Sequence, residues 1–241
     1  MAVIPCSLRR SATAEHPQII ASDRSVVEPE GFATALDCDV LFSCVDRPWP
    51  RAALNLVAYA HLIPVVDGGI RVHSRQERMS GAEWRAHMAA PGRACLECLG
   101  QYDPALVQVE RSGLLDDPSY IAGLPSHHPL RRNENIFAFS LATAGAEVLE
   151  LLRAVVAPSG VADIGAQTFH FTTGTIDRRT AGCANECPYA ASLLAAGDNN
   201  GIEVTGRHVL AENARSNRAA HRKDLWIRLR CLLADLLWKF R

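Results

Sequence analysis

The sequence contains almost no lysine. Arginine supplies 23 of the 25 basic residues, and the two lysines, Lys223 and Lys239, lie close to the C-terminus. No lysine of residues 1–222 is therefore available to hold a phosphate group or to act as a nucleophile. Glycine is missing from the start of the chain as well. Because Gly31 is the first glycine, no G-x-G-x-x-G turn that could hold a nucleotide's phosphates precedes it.

Long apolar segments are also absent. No run approaches the roughly 18 apolar residues of a spanning helix, and residues 1–10 lack the apolar core of a secretory signal peptide. We therefore expect a cytoplasmic protein without a spanning membrane segment. Eight cysteines in a chain of this kind favour metal binding over disulfide bonds.

Charge is balanced overall but unevenly distributed along the chain. Residues 1–205 carry 16 basic and 23 acidic residues, whereas residues 206–241 carry nine basic and three acidic ones. The acidic body argues against nucleic-acid binding. We expect one folded domain over residues 1–205 and a basic amphipathic helical tail over residues 206–241. The tail suits a membrane surface or, as we expect, docking on its own domain or on a partner.

Four of the cysteines form two close pairs. Cys95 and Cys98 make a C-x2-C motif, Cys183 and Cys187 make a C-x3-C motif, and 84 residues lie between the pairs. Zinc takes four ligands in a tetrahedron, and two such pairs supply four thiolates. The pattern predicts a zinc site that joins distant parts of one fold, although unrelated buried thiols remain the simpler alternative. The other four are expected to be ordinary thiols: Cys6, Cys38, Cys44 and Cys231.

The middle of the first half has the pattern of a strand, a helix and a strand. Residues 40–45 form a continuous apolar run that ends at Asp46, and residues 51–62 show helical spacing of apolar side chains. A second apolar run over residues 63–67 stops at a Gly-Gly pair. We therefore predict an α/β fold with a partial doubly wound, mostly parallel, Rossmann-like sheet.

Weaker patterns predict the remaining elements. The helices expected are a short one at 28–36, a deeply buried one at 136–156 and a terminal one at 211–241. A strand is expected at 18–22 and a hairpin around Thr173-Gly174. Three segments are expected to be irregular or loop-rich: residues 71–94, with a short helix near 81–88, residues 99–135 and residues 183–205.

Asp46, Arg51 and Asn55 carry a resemblance to a known family. Their spacing on and after a buried strand resembles the central motif of ThiF/MoeB-type adenylyltransferases, bacterial relatives of ubiquitin-activating enzymes. Asp67-Gly68-Gly69 matches the Gly-Gly turn that follows in that family. The C-x2-C pair, a crossover loop, a buried helix, a hairpin and the second cysteine pair come in the same order, so the resemblance covers roughly residues 16–190.

The resemblance implies roles for these residues. Asp46 would bind the Mg²⁺ on the phosphates of ATP, Arg51 would lie near the phosphates or hold Asp46, and Asn55 would support the same turn. The four paired cysteines would hold a structural zinc. The family reaction is ATP-dependent adenylylation of a C-terminal carboxylate of a ubiquitin-like protein or peptide, which yields an acyl-AMP and pyrophosphate.

Two departures from the family pattern limit this expectation. The glycine-rich nucleotide loop is missing, so we expect an N-terminally incomplete domain that is inactive alone, or is completed by a second copy or another subunit. No cysteine lies between Cys98 and Cys183, so we do not expect a thioester with the partner.

Two other functions fit the same residues. A non-catalytic, zinc-stabilised module could bind a ubiquitin-like protein or peptide, and the missing glycine-rich loop favours this alternative for the isolated chain. A nicotinamide-dependent oxidoreductase would share the fold, but the cysteine pairs and the missing dinucleotide fingerprint argue against it.

Overall fold

The computed structural model of the protein describes residues 18–75, 78–124 and 136–220. The chain divides into two compact units. The larger unit is Val26–Arg207, and the smaller one combines Met1–Ser25 with His208–Arg241. None of the described helices has both the length and the hydropathy needed to cross a membrane.

The described part of the larger unit contains five α-helices and five strands. In chain order they are α1 (Pro29–Leu36), β1 (Leu41–Ser43), α2 (Pro48–Ala60), β2 (Val65–Arg75), β3 (Arg78–Ala89), α3 (Pro104–Arg111), α4 (Pro118–Gly123), α5 (Phe137–Val156), β4 (Ala166–His170) and β5 (Thr175–Arg179). The expected mixture of helices and strands is thus confirmed.

The strands form one sheet in the order β1-β2-β3-β4-β5. Only β1 and β2 pair in parallel, and the other three pairings are antiparallel. The expected mostly parallel, Rossmann-like sheet is therefore not confirmed for the described residues. The reason is the connection after β2: two residues separate it from β3, whereas a parallel neighbour needs a crossover of about a dozen residues or more.

The segment between residues 68 and 94 differs most from expectation. We expected the second strand to stop at Gly68-Gly69, but β2 continues through both glycines to Arg75. A Cβ on Gly68 would collide with the side chains of Glu147 and Thr143, and one on Gly69 with the guanidinium of Arg85, so a substitution at either position would displace a neighbouring side chain. The segment expected to be irregular, with a short helix, contains strand β3 instead.

Several locally encoded elements lie where they were predicted. Helices α1, α2 and α5, strand β1 and the β4–β5 hairpin are confirmed to within a few residues. Residues 18–22 do not form a strand. Helices α3 and α4 lie in the segment that was predicted to be loop-rich. Each begins with an aspartate that caps the helix, Asp103 or Asp117, followed by a proline in the first turn, a pattern that sequence reasoning overlooked.

Helix α2 occupies the middle of the larger unit. Every residue from Trp49 to Ala60 is buried, and the core cluster around it includes Tyr59, Val65, Leu96 and Tyr189. Asp67 of β2 bonds to Arg51 on α2, whereas the next residue, Gly68, faces α5. Because successive strand residues point to opposite faces, α2 and α5 cover opposite faces of β2.

Helix α5 is orientated unlike the expected deeply buried helix. Its buried residues are few and mostly polar or small: Phe139, Thr143, Ala146, Glu147 and Glu150. Its large apolar side chains are mostly exposed, so the expectation of deep burial is wrong. Of the two inward glutamates, Glu150 accepts hydrogen bonds from Arg153 and Gln167, and Glu147 interacts electrostatically with Arg85 and Arg51.

The smaller unit contains helix α6 (Val209–Ala220) in its described part. Arg215 on α6 donates a hydrogen bond to the Asp23 carbonyl oxygen at 3.2 Å, and Arg218 lies 3.9 Å from the Asp23 carboxylate. The predicted C-terminal helix thus begins as expected. Its remainder, residues 221–241, lies outside the described residues.

Candidate functional site

The four paired cysteines come together in space. Their four sulfur atoms all lie within 4.8 Å of one another, and the Cys95 and Cys187 sulfurs are 3.6 Å apart. A zinc ion about 2.3 Å from each of four tetrahedral thiolates would space the sulfurs about 3.8 Å apart. The cluster could therefore hold a metal ion, and its four soft sulfur donors fit a structural zinc without an open position for substrate.

Backbone amides also point at the sulfur atoms. The Cys95 N–H donates to the Cys183 sulfur at 3.1 Å, and the Cys98 N–H donates to the Cys95 sulfur at 3.3 Å. Such donors stabilise the negative charge of thiolate ligands. The two cysteine loops thus place four sulfur atoms close together and also supply the backbone donors that are typical of a metal site.

The thiols of the cluster differ in their tendency to ionise. Burial raises the pKa of Cys183 to about 11 and also raises the pKa of Cys95. Burial likewise acts to raise the pKa of Cys187, but hydrogen bonds from the Ala190 amide and the neighbouring thiols lower it more. A bound cation would have to displace protons from the two raised thiols, so binding would release protons. Cys38 and Cys44 are free thiols outside the cluster, and Cys6 and Cys231 lie outside the described residues.

Asn55 joins helix α2 to the first cysteine loop. The residue is fully buried, its Oδ1 accepts the Leu96 N–H at 2.9 Å, and its Nδ2 donates to the Tyr102 hydroxyl at 3.3 Å. That hydroxyl donates in turn to Glu97 at 2.9 Å. Asn55 was expected to support the turn at the cofactor-binding site, and in the described structure its amide holds the C-x2-C loop.

Arg51 and Asp67 form the central ion pair of the larger unit. The Arg51 Nε donates to Asp67 Oδ1 at 2.9 Å, and the Ser43 hydroxyl donates to the same oxygen at 2.7 Å. The guanidinium also donates to the carbonyl oxygens of Val45 and Gln101. Sequence reasoning took Asp67 only as the end of a strand; the acid directly before Gly-Gly was the signal that could have identified it.

Asp46 lies apart from this ion pair. It is exposed and follows the end of β1 by three residues. In the described part of the chain, Arg51 pairs with Asp67, and no ion pair joins Arg51 to Asp46. Asp46 and Arg51, predicted to act together in catalysis, are therefore in different surroundings: one faces solvent and the other is buried.

Glu147 adds a second buried carboxyl beside Asp67. Only 6% of the residue is exposed. Burial and, to a smaller extent, the negative charge of Asp67 raise the pKa of Glu147 to about 7, although Arg85 and Arg51 act in the opposite direction. This carboxyl therefore changes its charge close to neutral pH.

A small cavity lies between the sheet and the loop that follows the first cysteine pair. Its volume is about 190 Å³. Strands β2, β3 and β4 contribute Gly69, Arg71, Arg85 and Thr168, and the loop contributes Leu99, Gly100 and Gln101. The side chain of Arg85 is 19% exposed and contacts Asp67 at 3.5 Å. Sequence reasoning missed both arginines because the segment that carries them was expected to be irregular.

No protein-family model fits the chain, and a search of curated proteins finds no relative. The case for a function therefore rests on the residues themselves and on their geometry.

A bound metal should be essential for stability. We expect about one zinc per chain and expect Cys95→Ser to lower the zinc content and the melting temperature, because metal binding is coupled to folding. A loss of about 3 kcal/mol would lower the melting temperature by roughly 10 °C in a domain of this size. Metal analysis and thermal unfolding measure both effects.

Cys38→Ser is the matched control for this experiment, because Cys38 is a half-buried thiol outside the cluster. It should leave the zinc content unchanged. A metal-free protein that is as stable as the metal-loaded one would show that the cluster is not a structural metal site.

The stability of the protein should depend on pH through Glu147. The Glu147 carboxyl has a pKa of about 4.3 in the unfolded chain, whereas its pKa in the folded protein is about 7. The wild type therefore loses folding free energy as pH rises through this interval. We expect Glu147→Gln to raise the melting temperature relative to the wild type more at pH 8 than at pH 5, as measured by thermal unfolding.

Glu30→Gln, which alters an exposed glutamate of α1, is the control and should show no such difference between the two pH values. Equal effects of Glu147→Gln at pH 5 and pH 8 would contradict the assignment.

Proposed function

We propose that the chain is a zinc-stabilised domain that binds the C-terminal carboxylate of a ubiquitin-like protein or peptide. The observation that carries the proposal is the cavity of about 190 Å³ with Arg71 and Arg85 in its wall. Arginine is suited to this role because its planar guanidinium can donate two parallel hydrogen bonds to one carboxylate.

Arg85 retains hydrogen-bonding capacity for a ligand. It lies directly over Gly69, whose missing side chain leaves it room, and it contacts Asp67 with one terminal nitrogen. Burial lowers its pKa to about 10, so the guanidinium is still charged at neutral pH. Its Nε is buried and has no hydrogen-bond partner among the described residues, so a ligand would be bound through the terminal nitrogens. These features support a cation that is positioned but not fully neutralised.

The size of the cavity favours a chain end over a nucleotide. Its volume of about 190 Å³ is below the roughly 300–1,000 Å³ typical of small-molecule pockets. Two glycines, Gly69 and Gly100, contribute to its wall. Of the described residues that line it, Glu83 is the single acid against two arginines, so the lining carries a net positive charge. A slim chain end that carries a carboxylate fits this shape and charge.

The cysteine cluster contributes to this site through the loop that it anchors. Leu99, Gly100 and Gln101 directly follow Cys98 and form one wall of the cavity. Arg51 holds the same loop by donating to the Gln101 carbonyl oxygen at 3.2 Å. A metal in the cluster would therefore fix the position of the wall opposite the sheet. This dependence explains why a binding domain would need a structural metal so close to its site.

The proposal predicts that a peptide ending in Gly-Gly binds through its free carboxylate. We expect the free acid to bind at least tenfold more tightly than the C-terminal amide, since hydrogen bonds to charged groups contribute about 1.5–3 kcal/mol. Arg71→Ala should reduce this preference for the free acid. Arg85→Lys should reduce it further, because lysine keeps the charge but cannot donate two parallel hydrogen bonds to one carboxylate. Fluorescence anisotropy with a labelled peptide measures each affinity.

Arg78→Ala is the control, because Arg78 is an exposed arginine of β3 outside the cavity. It should leave the affinity unchanged. Equal affinities for the acid and the amide, or no binding of either, would refute the proposed carboxylate site.

A second candidate function is adenylylation of the bound carboxylate, and the exposure of Asp46 favours it. Asp46 follows β1, the strand that pairs in parallel with β2, and ligands of α/β sheets commonly bind beyond the carboxyl ends of parallel strands. An exposed carboxylate there could bind the Mg²⁺ of ATP. The partner's carboxylate oxygen would attack the α-phosphorus, and the bond to the departing pyrophosphate would break.

ATP–pyrophosphate exchange separates the two candidate functions. If the chain adenylylates a Gly-Gly peptide, exchange should require the peptide and Mg²⁺ and should be abolished by Asp46→Asn. The control is Asp39→Asn, which alters an exposed aspartate before β1. Absence of exchange and of ATP binding at millimolar nucleotide would rule out adenylylation by this chain while leaving carboxylate binding intact.

A further inference from the structure

Helix α5 presents an exposed apolar face to its surroundings. Seven large apolar side chains of the helix are between 48% and 81% exposed: Phe137, Leu141, Val148, Leu149, Leu152, Val155 and Val156. The three charged residues of the helix lie elsewhere. Glu147 and Glu150 are buried, and the half-buried Arg153 is paired with Glu150 at 3.0 Å. The outer face of α5, defined by the seven exposed residues and the small ones between them, therefore carries no charge.

Such a face is large for a single chain. Together the exposed parts of these side chains amount to an area on the order of several hundred Å², comparable with or above the largest apolar patch of a typical monomer, about 300–600 Å². An additional contact is a common explanation for a patch of this size. A standard interface buries about 800 Å² per partner, so this face could supply much of one.

Gly145 gives an independent indication of close contact. It lies exposed in the middle of α5, and a Cβ at this position would meet nothing within 4 Å. Glycine inside a helix is destabilising relative to alanine. The described residues of this chain therefore give no reason for a glycine here. A neighbouring helix that approaches the backbone closely would provide one.

The residues of the outer face follow the spacing of a helix–helix seam. Ala138, Leu141, Gly145, Val148, Leu152 and Val155 are exposed and are separated alternately by three and four residues. This spacing places side chains along one line for packing against a second helix.

We propose that the outer face of α5 is the interface between two copies of this chain, packed antiparallel across a two-fold axis. An antiparallel pairing centred between Ala146 and Glu147 sets Gly145 opposite Val148 of the second copy. It also sets Ala138 opposite Val155 and Leu141 opposite Leu152. Each small residue then faces a branched one. In a parallel pairing, glycine would face glycine and alanine would face alanine, which leaves voids.

A second copy fits this face better than a lipid surface does. A two-fold contact needs a surface that is complementary to itself, and the size pattern along the seam has this property. The absence of charge also means that no like charges meet across the axis. A helix on a lipid surface would need basic residues along its polar side, whereas the other side of α5 carries two glutamates and packs on the sheet.

The interface is independent of the proposed carboxylate site. Gly69 and Arg85, which line the cavity, pair across β2 and β3, and Gly69 lies on the face of β2 that bears Asp67 and not on the face covered by α5. Dimerisation and peptide binding can therefore succeed or fail separately.

The test is the mass of the full chain in solution, measured by sedimentation velocity over a range of concentrations. We expect twice the 26.2 kDa of one chain. Gly145→Leu should yield a monomer, because the new side chain fills the space that the second helix requires. If the association were non-specific, the more hydrophobic leucine would strengthen it and no monomer would form. The matched control is Gly123→Leu at the end of α4, which also meets open space and should remain a dimer.

Three further variants keep the test decisive if Gly145→Leu does not fold. Leu152→Glu should also give a monomer, and unchanged zinc content and melting behaviour would show that the fold is intact. For the orientation, the double variant Leu141→Cys/Leu152→Cys should form an intermolecular disulfide on oxidation, whereas Leu152→Cys alone should not. A wild type that is monomeric at roughly 100 µM, a concentration well above micromolar dissociation constants, or a dimer that survives both Gly145→Leu and Leu152→Glu would overturn the proposal.

Discussion

The contact between the two cysteine loops is the constraint on which the larger unit depends most. It brings the sulfur atoms of two cysteine pairs, which are separated by 84 intervening residues, to within 4.8 Å of one another. Helix α2 is attached to the same place, because the buried amide of Asn55 bonds to the backbone of the C-x2-C loop. The Tyr59 hydroxyl adds a bond to the Arg93 carbonyl oxygen at 2.9 Å, just before that loop. A metal in the cluster would thus fix the positions of α2 and the two cysteine loops relative to one another.

The two faces of the sheet bury different charged residues and contact different parts of the protein. On one face Asp67 fixes Arg51 and Arg85, and Arg85 lines the cavity proposed to receive a carboxylate. On the other face the polar side of α5 packs inwards with Glu147, which leaves the apolar side of the helix outside. The proposed dimer would cover this apolar side, and the inward side of the helix is accommodated at Gly68, where a Cβ would collide with Glu147.

The sequence allowed the local elements and the cysteine pairs to be predicted, because apolar runs, helical spacing and short metal-ligand spacing are local signals. The pairing of the sheet was not predictable in the same way. The direction of β3 depends on a two-residue connection without the glycine or asparagine that usually signals a tight hairpin. The role of Asp67 was also hidden, since its partners Ser43, Arg51 and Arg85 come from three separate elements. Likewise, apolar residues of α5 indicate burial but do not reveal what covers them.

X-ray absorption at the zinc edge of the purified protein tests the central claim most directly, because it reports the atoms around the metal. We expect four sulfur ligands at about 2.3 Å and no nitrogen or oxygen ligand. Loss of a sulfur ligand in Cys187→Ser would assign the signal to the cluster. A metal bound through nitrogen or oxygen atoms, or a correctly folded protein without metal, would contradict the claim that the paired cysteines hold the fold together through zinc.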